Sequence, residues 1–185
     1  MNANRTSSTR FAILGLLALE PMSGYDIRRA VQDALRHFWN ESYGQIYPAL
    51  AALEKEGLVR LAPPAQAKSG RPRKVYALTP KGRRALADWR RKPPVSRPFR
   101  NELLLRMFFG DAPSARDLLA HVERLRAEES ERLEEYQALE ARMKKTSKDH
   151  PALPFWRATL RYGHYRSTGI VRWCDETART LRRVS

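Results

Sequence analysis

Residues 42–58 read SYGQIYPALAALEKEGL, and this stretch predicts a short helix with one buried and one exposed side. Ile46, Leu50 and Leu53 recur at steps of four and three, which is the spacing of a single helix face. Gly57 follows the last of them, where a residue in the left-handed conformation commonly ends a helix. The stretch therefore has the pattern of a helix that packs on a core and presents its other side to solvent.

Pro48 leaves the start of this helix open. Ser42 and Gln45 have the spacing of a capping box, in which the third helical residue reaches back to the cap. A proline six residues after such a cap would remove an intrahelical hydrogen bond. Either the regular helix begins nearer Gln45, or it bends at Pro48.

Two further helices are predicted before this one. Residues 9–19 place apolar side chains at helical spacing, and Pro21 ends the pattern. Ser23 and Asp26 then fit a capping box that opens a second helix. Its apolar positions are Ile27, Val31, Ala34, Leu35 and Phe38.

A β-hairpin is predicted after Gly57, with strands at 58–61 and 74–79 around a loop at 62–73. Thr79 and Pro80 then start a fourth helix, 80–92. The hairpin loop is basic and contains Lys68, Arg71 and Arg73. Three helices, a basic hairpin and a fourth helix predict a winged helix-turn-helix, in which the third helix enters the major groove of DNA.

The charge balance agrees with a polyanionic partner. The 185 residues include 35 Lys or Arg and 20 Asp or Glu, a formal net charge of +15. Residues 1–92 contain 17 of the basic and 7 of the acidic residues. Such an excess favours binding to phosphates through counterion release, although a solvated basic surface would have the same composition.

Several other classes of protein are disfavoured. The single cysteine, Cys174, excludes an intramolecular disulfide and suits a reducing compartment, so we expect a cytoplasmic protein. No apolar run is long enough to span a membrane, and residues 11–19 lack the cleavage pattern of a secretory signal. The four histidines are far apart and no catalytic motif is present, so neither an enzyme nor a metal or other cofactor is expected.

The C-terminal half is predicted to be a separate helical domain, 99–183, after a proline-containing linker, 93–98. A short helix over 99–110 precedes a long one that starts with a cap at Ser114 and runs to about residue 145. A last helix follows over 154–183, with two apolar stripes. The predicted fold is thus mainly α with a small β-hairpin: an N-terminal winged helix and a C-terminal helical dimerisation domain.

A narrow apolar seam on the long helix, interrupted at residues 128–131, favours coiled-coil packing, with a purely intramolecular bundle as the alternative. Two stripes on the last helix require two partners, namely the long helix of the same chain and a second subunit. This interpretation predicts a homodimer. The predicted dimerisation residues are Leu118, Val122, Leu125, Trp156, Tyr162, Ile170 and Trp173.

Six ordered motifs resemble the DNA-binding domain of the PadR family of bacterial transcriptional regulators. They are GLL at 15–17, SGYDI at 23–27, GQIYPAL at 44–50, LEKEGLV at 53–59, GRPRKVY at 70–76 and LTPKGR at 78–83. The resemblance covers 9–92 and implies a dimeric DNA-binding regulator, most often a repressor. ELLL at 102–105 and MFFG at 107–110 are similar, more loosely, to the virulence-activator type of C-terminal domain.

The resemblance also raises the prospect of a small aromatic effector, because some members of the family sense phenolic acids or drugs. Five aromatic residues are candidates to line a pocket for it: Phe99, Phe108, Trp156, Tyr162 and Trp173. The same residues also fit the core or a subunit interface.

The predicted DNA contacts follow from the exposed side of the third helix. Gln45 can pair with an adenine edge, Tyr47 can reach a phosphate or a sugar, and Pro48 can touch a thymine methyl. Tyr43 lies beside them, although both tyrosines also fit a partly buried position. On the hairpin, phosphate or minor-groove contacts are assigned to Lys68, Arg71 and Arg73.

Two other binding functions remain to be separated from gene regulation. A sequence-indifferent nucleic-acid-binding protein would share the positive charge, and a protein-interaction adaptor would share the helical half. A major-groove helix that presents Gln45 favours the sequence-specific regulator over the first of these. Measurable affinity for DNA would exclude the second.

Overall fold

The chain divides into two compact units, Met1–Ser96 and Arg97–Ser185. The computed structural model describes residues 3–35, 38–39, 43–62, 74–95 and 99–184. Lys68, Arg71 and Arg73 of the predicted wing, and Ser42 before the third helix, lie outside these ranges.

Four helices form most of the first unit: α1 (Ala3–Leu17), α2 (Gly24–Ala30), α3 (Ile46–Lys55) and α4 (Pro80–Arg91). Helix α1 therefore begins before the predicted residue 9 and ends before residue 19. A π-helical turn, Val31–Leu35, follows α2.

The predicted capping box at the start of α2 is confirmed. The amide of Asp26 donates to Ser23 Oγ at 3.2 Å, and the amide of Ser23 donates to Asp26 Oδ2 at 3.1 Å. Each of the two side chains thus accepts a hydrogen bond from a backbone amide that has no acceptor within the first turn of the helix. The start of α2 is fixed from both sides.

The start of α3 settles the alternative that Pro48 left open. A 3₁₀ turn, Tyr43–Gln45, leads into α3, and Gln45 occupies the cap position without a side-chain cap bond. Pro48 is therefore the third helical residue, where the missing N–H has no intrahelical acceptor in any case. The predicted box with Gln45 as third helical residue is wrong, because the α-helix begins after Gln45.

Gly57 ends α3 as predicted. Its φ is +70°, in the left-handed region that a residue without Cβ adopts freely. The amide of Leu58 donates to the carbonyl of Leu53 at 2.9 Å, and that of Gly57 to the carbonyl of Glu54 at 2.9 Å. These are the two bonds of a Schellman motif.

A three-stranded antiparallel sheet completes the winged helix, with strand order β1-β3-β2. The hairpin strands are β2 (Val59–Leu61) and β3 (Val75–Leu78), and β1 (Met22–Ser23) pairs with the outer side of β3. The sequence did not predict β1. Thr79 caps α4 as predicted, because its Oγ1 accepts from the amide of Gly82 at 3.0 Å.

One apolar core holds these elements together. It contains Ile13, Leu14, Leu16, Leu17, Ile27, Val31, Ile46, Ala49, Leu50, Leu53, Leu58, Val59, Leu78 and Leu86. Four of them lie on α3, so that helix is held along its whole inner face.

The second unit consists of α5 (Glu102–Phe108), α6 (Ala115–Thr146) and α7 (Leu153–Val184). Asn101 caps α5 by accepting from the amide of Leu104 at 3.2 Å. Ser114 occupies the cap position of α6 as predicted, but its side chain makes no cap hydrogen bond. The Ser114 hydroxyl instead bonds the backbone of Asp111, accepting from its amide at 2.8 Å and donating to its carbonyl at 2.9 Å.

Helices α6 and α7 pack antiparallel. Ion pairs join Glu123 to Arg182 at 2.7 Å near one end and Glu140 to Arg157 at 3.7 Å near the other. The two helices bury one core between them, formed by Ala115, Leu118, Val122, Cys174, Ala178 and Leu181. Among the helices of the described residues, none combines the length and the hydropathy that a membrane-spanning segment requires.

Glu129 interrupts the seam of α6 with a buried charge. Its side chain is 2% exposed and accepts from Ser167 Oγ at 2.6 Å and from Arg166 Nη2 at 3.2 Å. Arg132 pairs with it from the following turn. Because a carboxylate without partners would be costly in an apolar seam, these bonds hold α6 and α7 in one register.

Cys174 offers a direct check of this second core. It is fully buried, and burial is the main cause that raises the pKa of its thiol, followed by the charge of Asp175. Because the thiolate is the reactive form, we expect native protein at neutral pH to resist a thiol reagent such as Ellman's reagent. The same protein in urea should react fully and release one equivalent of the reagent's coloured thiolate, since the chain has a single cysteine. Rapid stoichiometric labelling of the native protein would contradict the packing of α6 on α7.

Candidate nucleic-acid interface

The start of α3 presents polar and aromatic side chains to solvent. Gln45, Tyr47 and Pro48 are exposed, and Tyr47 keeps 58% of its surface. The opposite face is buried to within a few per cent, through Ile46, Ala49, Leu50 and Leu53. Three of the predicted contact residues therefore share one outward surface, which we call the recognition surface (Gln45, Tyr47 and Pro48). The side chain of Tyr43, the fourth, lies outside the described residues.

One other element contacts Tyr47, and a second lies near it. Its ring lies against Gly24, the first residue of α2. Tyr76 of β3 is a neighbour as well: burial raises the pKa of its phenol most, and the nearby Glu54 and Tyr47 raise it further. The recognition surface is thus backed by the core and, through the contact of Tyr47 with Gly24, by the start of α2.

The described strands of the wing also carry exposed cations. Arg60 lies on β2, opposite Ala77 of β3, and Lys74 immediately precedes β3. Lys68, Arg71 and Arg73 belong to the segment between these strands that the structure does not describe. The described part of the wing therefore adds two exposed positive charges to the first unit.

Other cations of the first unit are engaged within the protein. Lys81 Nζ donates to the carbonyl of Glu56 at 2.8 Å, and Arg10 pairs with the carboxylate of Glu56. Both contacts place positive charge at the C-terminus of α3, where the helix dipole favours it. These residues stabilise α3 from its far end.

The predicted dimerisation residues are divided by the structure. Leu118 and Val122 are buried in the core between α6 and α7, and Leu125, Ile170 and Trp173 pack beside them. Tyr162 is exposed on α7, as are Phe155 and Tyr165. Leu118 and Val122 are thus covered by their own chain, whereas Tyr162 is not.

The five aromatic residues considered for an effector do not form one cluster. Trp156 stacks on His150 with ring centroids 4.4 Å apart, and Phe108 meets Phe109 edge to face. Phe99, Phe108 and Tyr162 are largely exposed. No ring contact within the described ranges joins two of the five. The same ranges contain no group of three or more His, Cys, Asp or Glu placed to hold a metal ion.

Sequence reasoning did not single out Gly24, Arg60 or Tyr76 for this interface. Gly24 lies in the capping box that was predicted, but nothing in the sequence shows that the ring of Tyr47 packs on it. Arg60 stands out only once the register places it on an exposed strand of the wing. The position of Tyr76 follows from the pairing of β1 with β3, in which Tyr76 lies opposite Met22.

Two family patterns match the chain in succession. The pattern of the transcriptional regulator PadR-like family matches residues 13–88, and that of the virulence activator alpha C-terminal domain matches residues 99–182. The first covers the winged helix, and the second covers α5, α6 and most of α7.

Individual relatives agree with these patterns. A probable transcriptional regulator of Mycobacterium tuberculosis, Rv1176c, is 31% identical over 92% of this chain and 95% of its own length. The negative transcriptional regulator PadR of Bacillus subtilis is 36% identical over 54% of this chain, and that match spans 55% of the Bacillus protein.

Solved structures extend the likeness to the fold. Bacillus subtilis PadR in complex with operator DNA has a TM-score of 0.74 at 28% identity, and the match covers 93% of this chain and 98% of that one. The same protein in complex with p-coumaric acid has a TM-score of 0.71 at 27% identity, over 94% and 98% of the two chains. Since the likeness to Rv1176c and to these structures extends over both units, this chain belongs to the PadR-like family of transcriptional regulators.

Proposed function

We propose that this protein is a sequence-specific transcriptional repressor that binds a palindromic operator as a homodimer in the cytoplasm and responds to a small aromatic effector. The observation that carries the proposal is the recognition surface at the start of α3, backed by a buried face. Support for repression and for operator binding comes from the Bacillus relative, a negative regulator solved with operator DNA.

Base reading is assigned to the recognition surface. The side-chain amide of Gln45 can accept a hydrogen bond from N6 of an adenine and donate one to N7. Only A·T pairs present this combination of donor and acceptor in the major groove. Pro48 supplies an apolar contact for a thymine methyl, and the hydroxyl of Tyr47 can donate to a phosphate. Gln45 and Pro48 therefore provide sequence specificity, and Tyr47 helps to fix the position of the protein on the duplex.

Affinity is assigned to the wing. Lys68, Arg71, Arg73 and Lys74 would neutralise phosphates and release counterions, which makes binding dependent on salt but not on sequence. The exposed Arg60 continues this positive surface along β2.

Dimerisation is assigned to the exposed stripe of α7, where Phe155, Tyr162 and Tyr165 remain uncovered. A two-fold dimer would present two α3 helices to successive major grooves, about 34–36 Å apart or a multiple of that distance. A palindromic operator mirrors this symmetry.

An aromatic effector is proposed by analogy with the complex of Bacillus PadR and p-coumaric acid. A flat aromatic acid needs an apolar surface for its ring and a polar partner for its carboxylate. The proposal of an effector therefore rests on that relative.

Competition binding tests the proposal. A duplex selected by the purified protein from a random pool is compared with a scrambled duplex of the same length and composition at physiological salt. We expect a preference of about 10³-fold or more for the selected duplex, which should be palindromic. Sedimentation equilibrium should give the mass of a dimer. Equal affinity for both duplexes would instead support a sequence-indifferent binder, and no affinity even at low salt would support a protein-interaction adaptor.

A further inference from the structure

Gly24 lies where α2, β1 and α3 meet. It is the first residue of α2 and follows Ser23, which caps the helix and pairs with Val75 of β3. The two bonds between Ser23 and Asp26 hold the backbone on both sides of it. The main chain at Gly24 therefore has little freedom to move.

The space beside Gly24 is filled by one side chain. A Cβ placed on Gly24 would lie 2.6 Å from Cε1 of Tyr47, 3.3 Å from Cδ1 and 3.4 Å from Cζ. These three nearest atoms all belong to the Tyr47 ring. Since van der Waals contact between carbons requires about 3.5–4.0 Å, no residue with a Cβ fits while the ring stays in place.

The ring is the part that would give way. Tyr47 is 58% exposed, so its side chain can rotate into solvent, whereas the capped and strand-paired backbone of Gly24 cannot retreat. A methyl group at position 24 would accordingly displace the phenol from the recognition surface and leave the buried face of α3 in place.

We propose that Gly24 is a positioning residue for DNA recognition, because its missing side chain lets the Tyr47 ring lie on the start of α2 and so directs the phenol toward the operator backbone. The inference rests on the proposed function, in which Tyr47 contacts DNA. Gly24 itself touches no DNA in this arrangement. It acts through Tyr47 alone, and this dependence makes the proposal testable.

The test is a double-mutant cycle with Gly24→Ala, Tyr47→Ala and the double variant, measured as affinity for the selected palindromic duplex. We expect Tyr47→Ala and Gly24→Ala each to weaken binding by about tenfold or more, the effect of losing a hydrogen bond to a charged group. In the Tyr47→Ala background, Gly24→Ala should have no further effect, because the atoms it clashes with are gone.

Gly15→Ala is the matched control. Gly15 lies on α1, and a Cβ there would meet nothing within 4 Å. This variant should bind the duplex like the unmodified protein. If Gly24→Ala fails to fold, Tyr47→Ala should restore folding in the double variant, since the clash involves that ring; a double variant that stays unfolded would overturn the inference.

The remaining outcomes separate the two proposals. Weaker binding by Tyr47→Ala together with unchanged binding by Gly24→Ala would overturn the positioning role and leave the DNA contact standing. Equal losses from Gly24→Ala in both backgrounds would also overturn it, because the effect would then not pass through Tyr47. Unchanged binding by Tyr47→Ala would show that Tyr47 makes no contact important for DNA binding, and the inference would then be wrong. An unmodified protein without preference for any duplex would refute the proposed function.

Discussion

Replacing Gln45 by alanine is expected to remove most of the base preference at one position of each operator half-site. A bidentate amide–adenine pair contributes about 1–3 kcal/mol of discrimination, and a dimer loses two such pairs, so the preference should fall by about 2–6 kcal/mol. Binding to unrelated DNA should change little, because Gln45 carries no charge. Competition between the selected duplex and one substituted at the contacted adenine measures the loss directly.

The matched control is Gln137→Ala, which changes an exposed glutamine on α6 of the other unit and should leave both affinities unchanged. Arg71→Ala provides the contrast. It should weaken all duplexes similarly and reduce the dependence of affinity on salt by about one unit of slope for each phosphate that is no longer neutralised. If Arg71→Ala relaxed the base preference and Gln45→Ala lowered the salt slope, the assignments of helix and wing would have to be exchanged.

Replacing Leu50 by alanine is expected to reduce the free energy of unfolding of the first unit by about 2–5 kcal/mol. Leu50 is 1% exposed and lies at the centre of the buried face of α3. The loss combines the transfer of the removed methyl groups with a cavity that the neighbouring core residues fill only in part. Urea denaturation followed by circular dichroism, analysed for two separate transitions, measures it.

Leu61→Ala makes the same change on β2, where the side chain is 43% exposed, and should cost far less. Similar losses for the two variants would mean that Leu50 does not support α3 from behind. Such a result would also remove the physical basis for placing Gln45 and Tyr47 on an outward surface. The comparison therefore tests the packing on which the DNA-binding proposal depends.

The recognition surface was predictable because its signal is local. Steps of three and four between Ile46, Leu50 and Leu53 determine which side of α3 is buried, and the remaining side must then face outward. The same holds for the caps at Ser23 and Thr79 and for the helix end at Gly57. In each case the partners in the hydrogen bonds lie within five residues of one another.

Local patterns were insufficient where a side chain had a choice of partners. Ser114 has the spacing of a cap, but its hydroxyl bonds the backbone of Asp111 in the preceding turn. Glu129 stands at a position that a helical repeat would reserve for an apolar residue. The buried carboxylate is stable there because Ser167 and Arg166, nearly forty residues further along the chain, donate hydrogen bonds to it.

Local patterns were enough to predict the order of the helices and the exposed position of Gln45, because periodicity and capping depend on residues a few positions apart. The excess of positive charge follows from composition, and the resemblance to the family rests on the six motifs between residues 15 and 83. The folded molecule was needed to show that Met22 and Ser23 form a strand, that α7 covers Leu118 and Val122, and that the Tyr47 ring packs on Gly24. Each of these depends on which distant segments meet in space. A local sequence pattern does not specify these contacts, because their packing free energy is gained only after distant segments have come together.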